Sequence, residues 1–274
     1  MAIENSTIKE MVRAKWNKRA LTYDRSPGHG IQNSAEHQRW IELFREVFGE
    51  KKLKILDVGT GTGVVALLLA ELGHQVTGVD IAEDMLRQAR EKAARMGLEP
   101  DFRVGDVETL DFEEASFDAV VNRHVVWTLP HPEEAMADWK RLLRPGGELV
   151  IMDSNSGKGM SFAKKIWRFC GRILILLTEG SNPWANSAAD RAMEKHFPMR
   201  QRKRPEADLE MLKKLGFEAT VMTLNIKRWH TLLDYLKYGF MDKERFLIRA
   251  RLPETGEKRI HDCLESSGSF FWGY

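Results

Sequence analysis

Chemistry-bearing residues in this sequence gather just after short apolar runs. The stretch Ile55-Leu56-Asp57-Val58-Gly59-Thr60-Gly61-Thr62-Gly63 places an acid and three glycines at the end of one such run. Glycine lets the backbone take positive φ and lets a ligand touch the main chain with no Cβ in the way. A helical pattern opens at Val64, and its N-terminus turns unbonded N–H groups onto the same spot. Asp80 closes a second run, Gln75 to Val79, and Asp106 follows a third in Gly105-Asp106-Val107. His124 stands two positions past a fourth run, Ala119 to Asn122. Carboxylates at such ends can accept charge-assisted hydrogen bonds, and an imidazole can take a proton near neutral pH. Something small and polar is expected on the glycine turn.

The elements that must position these residues follow from periodicity. Apolar spacing predicts a helix over Ile8 to Leu21 and a second over Ser34 to Phe48, with Trp40, Leu43, Phe44 and Val47 on its buried face. Ser26-Pro27-Gly28 breaks the chain between them. From Leu53 strands and helices alternate, the pattern of a parallel sheet with helices on both faces. Strands are expected at Lys54 to Val58, Gln75 to Val79, Asp101 to Val104, Ala119 to Asn122 and Glu148 to Met152. Helices are expected from Ala82 to Met96 and from Pro132 to Leu143. Residues 154–204 interrupt the alternation with helical segments near Met160 to Thr178 and Ala185 to Lys195, then the basic run Gln201 to Arg204. The alternation resumes with a helix from Pro205 to Lys214 and strands at Glu218 to Leu224 and Phe246 to Arg251. The expected organisation is an N-terminal helical lid (1–50), an α/β, Rossmann-like doubly wound domain (51–155 with 205–252), a helical substrate or lid insertion (156–204) and a C-terminal tail (253–274).

Composition bounds the function from outside. At 274 residues the chain can bury a sizeable core. A formal net charge of +2 argues against nucleic acid as a partner. Cys170 and Cys263 are the two cysteines, too far apart to suggest a disulfide framework or a zinc knuckle. Met1 to Glu10 has no apolar core of a secretory signal, and the longest apolar run, Ile173 to Leu177, is too short to span a bilayer. A cytoplasmic protein with no stable membrane insertion is expected.

Two ligand classes use a glycine turn after the first strand of such a sheet. Dinucleotide enzymes place glycines as Gly-x-Gly-x-x-Gly. Here they fall at 59, 61 and 63, position 64 is Val, and Asp57 stands where it would repel a pyrophosphate. Those features disfavour an NAD(P)-dependent oxidoreductase. They suit a ligand with a cationic group and no phosphate, such as S-adenosylmethionine. Asp80 can then accept both ribose hydroxyls, Ile81 and Met85 can face the adenine ring, and Asp106 can accept from its exocyclic amine. Each has a structural role open to it as well: strand-end acids cap helices, and Met85 can be core. Their order at successive strand ends is what carries the reading, because ligands of such sheets bind at the carboxyl edge.

With these motifs in hand, residues Lys54 to Met152 resemble a class I S-adenosylmethionine-dependent methyltransferase of the type 11, ubiquinone/menaquinone-methyltransferase-like kind. The resemblance rests on 57–63, Gly78-Val79-Asp80-Ile81, Gly105-Asp106-Val107, Phe117 to Val121 and Arg141 to Gly147. It implies a seven-stranded, mostly parallel sheet with a reversed last hairpin. It also implies that Tyr23 folds over the methionine end of the cofactor. The expected cofactor contacts are Tyr23, Asp57, Gly59, Thr60, Gly61, Asp80, Ile81, Met85, Gly105, Asp106, Val107 and Arg123.

The residues after the fourth strand narrow the chemistry. Asn122-Arg123-His124-Val125-Val126-Trp127 lacks the Asn/Asp-Pro-Pro-Tyr/Phe grip on a planar amine, and no metal cluster is suggested by spacing. In-line methyl transfer to a small molecule needs alignment and exclusion of water, and a base only when the acceptor must lose a proton. His124 is the candidate base, with Trp127 as an apolar wall and His29 approaching from the lid. A simple backbone bond from His124 is the competing role. A cofactor-binding sensor or partner protein is the alternative to an enzyme. The helix Ser161 to Thr178 mixes large apolar residues with Lys164, Lys165, Arg168 and Arg172; it can lie on a membrane, or serve as a lid or dimer helix, which leaves a homodimer open. Gln201 to Arg204 is read as a solvated loop rather than an anion grip. The acceptor is not named by these residues.

Overall fold

The structure is a computed structural model that describes residues 5–26, 28–155, 161–179, 188–224, 231–239 and 244–254. Most of the expected tail, with its Phe270-Phe271-Trp272, and parts of the 156–204 insertion lie outside the described residues.

Helices α1 (Asn5–Arg19) and α2 (Ser34–Phe48) precede the sheet. Asn33 opens α2 as a reciprocal cap: its side chain accepts from the Glu36 N–H, while the Glu36 carboxylate accepts from the Gln32 N–H at 2.9 Å. The alternating stretch then runs β1 (Lys54–Val58), α3 (Val64–Glu71), β2 (Gln75–Asp80), α4 (Glu83–Met96), β3 (Asp101–Val104), β4 (Phe117–Arg123), α5 (Pro132–Leu142) and β5 (Leu143–Ser154). After β5 come α6 (Phe162–Glu179), α7 (Ala188–Glu194), α8 (Glu206–Lys214), β6 (Glu218–Thr223), α9 (Leu232–Tyr238) and β7 (Arg245–Arg251).

The seven strands form one sheet in the order β3-β2-β1-β4-β5-β7-β6. The first five pair in parallel, and β7 runs antiparallel between β5 and β6, so the reversed hairpin is where the sequence put it. Ile55, Leu56 and Val58 of β1 are fully buried, because helices cover both faces of this central strand. One face packs Trp139, Met136, Leu142 and Phe217; the other packs Trp40, Phe44, Leu68 and Leu86. The strand order reverses between β1 and β4. That opens a crevice at their carboxyl ends.

Three differences from the sequence reading have local causes. β5 begins at Leu143, so Arg144 to Gly147 lies inside the strand, absorbed by a register shift opposite Phe117 and Ala119. Helix α9 escaped the periodicity reading because only seven residues carry it; its start is fixed by Thr231, whose side chain accepts from the Asp234 N–H. Helix α1 stops at Arg19, two residues short of the expected end.

The turn after β1 is held by close approach. Gly59 and Gly61 both have positive φ, at 69° and 56°. A Cβ at Gly59 would stand 2.4 Å from Val125 Cγ2, so the loop after β4 presses directly on this backbone. Gly63 starts α3 at φ 78°, and a Cβ there would meet Ala89 Cβ of α4 at 2.9 Å. Gly59→Ala is therefore expected to cost the roughly 1–2 kcal/mol of a left-handed alanine plus about 1–3 kcal/mol of overpacking. In a Val125→Ala background only the first contribution should remain. Urea unfolding of the four proteins in the cycle checks this; an equal cost of Gly59→Ala in both backgrounds would show that Val125 is not the obstacle.

Candidate functional site

One cavity lies over the carboxyl ends of β1, β2 and β4. Its floor is Gly59 and Gly61 of the turn, and one wall is Asp80, Ile81 and Met85. Asp106 and Val107 enter from beyond β3, and Arg123, His124 and Trp127 from beyond β4. Tyr23 and His29 close the cavity from the lid segment. Of the expected site residues, Asp57, Thr60 and Gly105 do not line it. Asp57 lies beneath the turn, where the Thr60 hydroxyl donates to its Oδ2 at 2.6 Å. Burial pushes the Asp57 carboxyl up to about 7, against the bonds from Thr60 and the Ala66 backbone.

Asp80 joins two segments. Its Oδ2 accepts from the Gly61 N–H at 2.8 Å and its Oδ1 from the Ala82 N–H at 2.9 Å. Burial raises its pKa to about 6, opposed by those same backbone bonds. These backbone bonds leave each carboxylate oxygen a second lone pair. Asp106 is already engaged: Lys9 of α1 bridges it at 2.5 Å and its neighbour Glu108 at 2.9 Å. Lys9 was invisible in the sequence, because the clamp joins the first helix to a loop almost a hundred residues on.

The segment between α1 and α2 is held by polar contacts. Arg123 donates to the carbonyls of His29 (3.0 Å) and Gly28 (2.6 Å) while stacking over Trp40. Thr62 Oγ1 donates to Asp24 Oδ1 at 2.5 Å, and Lys92 reaches Asp24 Oδ2 at 2.7 Å. Rings then cross the mouth in sequence: Tyr23 to His29 at 4.5 Å, His29 to His124 at 5.7 Å between centroids. Burial of the Tyr23 hydroxyl pushes its pKa up to about 12, so it stays a neutral donor.

His124 adopts φ 62°, an uncommon backbone for a side-chain-bearing residue and one that histidine tolerates better than most. This kink aims the ring into the cavity. Its Nδ1 meets Asp153 Oδ1 at 3.1 Å. Asp153 closes β5 and also binds Arg204, whose guanidinium grips Asp208 through Nε (2.8 Å) and Nη2 (2.5 Å). Burial alone would raise Asp153, but Arg204 and His124 outweigh it and hold the carboxyl below its usual range. An ionised Asp153 accepts a hydrogen bond from Nδ1–H, the tautomer in which Nε2 carries the ring's lone pair. The sequence reading missed Asp153, although it follows strand five as Asp80 follows strand two. It also misread Arg204: the side chain is 2% exposed, so it is an internal cation and not part of a solvated loop.

Residues 56–151 match the family model described as a methyltransferase domain. This segment is a methyltransferase domain. The phosphatidylethanolamine N-methyltransferase of Cereibacter sphaeroides is 42% identical over 102 residues, 36% of this chain and 50% of that protein. The demethylmenaquinone methyltransferase of Thermus thermophilus is 40% identical over 118 residues, 42% of this chain and 54% of that protein. The chain thus spans about half the length of these relatives. Phosphoethanolamine N-methyltransferase 2 of Haemonchus contortus, solved in complex with S-adenosyl-L-methionine, shares the fold over 93% of this chain and 61% of its own, with TM-score 0.61 and 19% identity. The cavity sits at the strand ends that the methyltransferase domain contributes, while its lid, Asp153 and Arg204 lie outside the matched residues.

Arg204→Leu should destabilise the fold by about 3–5 kcal/mol, since it leaves Asp153 and Asp208 buried without their cation. The loss should grow with pH. In the wild type the depressed Asp153 pKa keeps its contribution constant above the ordinary carboxylate range. Without Arg204 burial raises that pKa, so ionisation above the unfolded value removes stability. Denaturant unfolding at about pH 5 and about pH 7.5 reads this directly; an equal loss at both would mean that Asp153 is not charged through Arg204.

Proposed function

We propose that this chain transfers a methyl group from S-adenosylmethionine to a small-molecule acceptor, by in-line displacement. One observation carries the reading: a single cavity gathers the glycine turn, the buried carboxylate of Asp80 and an imidazole oriented by a carboxylate. The donor set fits the cofactor. Asp80 supplies acceptor capacity for vicinal hydroxyls, Ile81 and Met85 supply apolar and polarisable surface for a purine, and no lysine or arginine stands in the glycine turn where a phosphate would need one. When bound, S-adenosylmethionine brings a methyl group on a sulfonium, already an electrophile.

The chain's own residues then have three tasks. Gly59, Gly61 and Asp80 bind and orient. Tyr23, His29 and Trp127 exclude water from the mouth, with Arg200 stacked 4.9 Å behind the Trp127 ring. His124 accepts a proton at Nε2 from a hydroxyl, thiol or ammonium acceptor, while Asp153 stabilises the imidazolium that results. Residues 1–50 act as the lid of this site. The reading has no place for nucleic acid. No described helix is long and apolar enough to cross a membrane, and a cytoplasmic protein fits this reading.

Methyl transfer from labelled cofactor to a panel of metabolites tests the proposal; cofactor binding with no transfer to any acceptor would favour a sensor. Given an acceptor, His124→Gln should lower the rate by roughly 10²–10⁴-fold with little change in cofactor affinity. A rate within a few fold across pH would leave His124 a packing residue. Cofactor affinity itself should depend on pH through Asp80. Only the carboxylate accepts both hydroxyls, so protonation competes with binding. Affinity should be flat above about 6 and fall by about tenfold per unit below it. Calorimetry across that range, with Asp80→Ala as the pH-insensitive reference, would expose a wrong assignment as parallel curves.

A further inference from the structure

Helix α6 presents an apolar stripe to solvent. Phe162, Ile166, Phe169, Ile173, Leu176 and Leu177 are 78%, 52%, 59%, 38%, 44% and 75% exposed. At 3.6 residues per turn all six fall within an arc of about 100°. The opposite side of the helix faces the protein. There Gly171 and Ile175 are buried, and Trp167 packs against α9, donating to the Leu236 carbonyl at 2.8 Å with its ring 4.8 Å from that of Tyr235. Helix α9 extends the surface with Leu232 and Leu233, exposed by 74% and 46%, and with Tyr235 and Leu236. No α6 residue lines the cavity, so the stripe is not the inner face of a lid over it.

The charges of α6 sit together on one flank. Lys165 and Arg172 border the stripe, Arg168 and Lys164 follow round toward the protein-facing side, and the helix's one acid, Glu179, is its last residue. Large apolar side chains beside a row of cations, on a helix with a distinct apolar face, match a surface that rests in the headgroup boundary of a bilayer. We propose that α6 and α9 together dock this protein reversibly on an anionic lipid bilayer. The charge pattern decides among occupants. A second copy joined antiparallel, by a two-fold axis across the helix, would set this patch against itself and bring the cationic flank toward its own image. A neutral surface would offer that flank no opposite charge. Anionic headgroups supply it while the acyl boundary takes the stripe. Insertion across the bilayer is excluded by the four cations, so docking is peripheral. The inference stands without the methyl-transfer reading, since it uses none of the cavity residues.

Flotation of the full chain with vesicles tests it. Phosphatidylcholine vesicles are compared with vesicles of phosphatidylcholine and phosphatidylglycerol, at low and high salt. The expected result is binding to the anionic vesicles alone, weakened by salt. Lys165→Gln with Arg172→Gln should lower the partition by about 30-fold at low salt. A triple change of the exposed stripe, Phe162→Ser, Phe169→Ser and Leu177→Ser, should abolish binding. Because these side chains are largely in solvent, the variant's melting temperature and circular dichroism should match wild type. Equal binding to both vesicle types, no binding at all, or an unaffected triple variant would each overturn the proposal. So would a dimer in the absence of vesicles that the triple variant dissolves, which would make a second copy the occupant.

Discussion

The site depends on one buried carboxylate that does structural work before any ligand arrives. Asp80 accepts from Gly61 in the turn after β1 and from Ala82 at the approach to α4, and so fixes the relative position of two loops. Backbone bonds from Gly59 and Thr60 to the Val79 carbonyl reinforce the same junction. Those loops come from adjacent parallel strands, at the carboxyl edge beside the crevice that opens between β1 and β4. Burial opposes the charge while the N–H groups support it, and the balance leaves the carboxyl titrating near 6. A group held this way is preorganised: its geometry costs nothing further when a ligand's hydroxyls arrive. Alanine or leucine at 59 or 61 could not reproduce the cradle, because both positions require a left-handed backbone.

A second buried charge network stabilises the other wall. Arg204, Asp153 and Asp208 are all nearly inaccessible, so each is tolerable only because of the others. The network runs from the first residues of the resumed fold, through the end of β5, to the ring of His124. It gives the imidazole a fixed tautomer, and it does so with residues far apart in sequence. Such an arrangement stabilises the fold less than apolar packing of equal volume would. Its presence beside the cavity is therefore better explained by orientation of His124 than by stability.

What could be read from the sequence tracks how local the cause is. The glycine turn, the strand-end acids Asp80 and Asp106, and the strand lengths follow from neighbours within a few residues, and the structure puts them where the pattern said. The reversed last hairpin was legible only through the resemblance, since nothing local tells Phe246–Arg251 to insert between β5 and β6. Asp57 and Thr60 share the motif's spacing but do not line the cavity: the Thr60 hydroxyl is turned onto the buried Asp57 carboxylate beneath the turn. Lys9, Asp153 and Arg204 depend on tertiary contacts alone. The basic run before Pro205 looked like solvent-facing charge by composition, and no count of charges distinguishes an arginine that will meet two buried aspartates.

The insertion after β5 divides by the same criterion. Its second half is wired to the site. Lys15 of α1 pairs with Asp190 and Glu194, and Ile8 packs on Met193 and Phe197, so α7 supports the helix that carries Lys9 to Asp106 and Glu108. Arg200 then backs Trp127, and Arg204 holds Asp153. Its first half, α6, packs chiefly on α9 among the described residues. A change in 188–204 must therefore reach the cavity walls from two directions, through α1 and through His124, while a change on the outer face of α6 has no packed route to them. Both halves occupy the same gap in the sheet's connectivity, yet only one is constrained by the chemistry. The other is free to answer to whatever the protein rests against, which is the division expected when a scaffold fixes its reaction site and leaves its setting to an inserted surface.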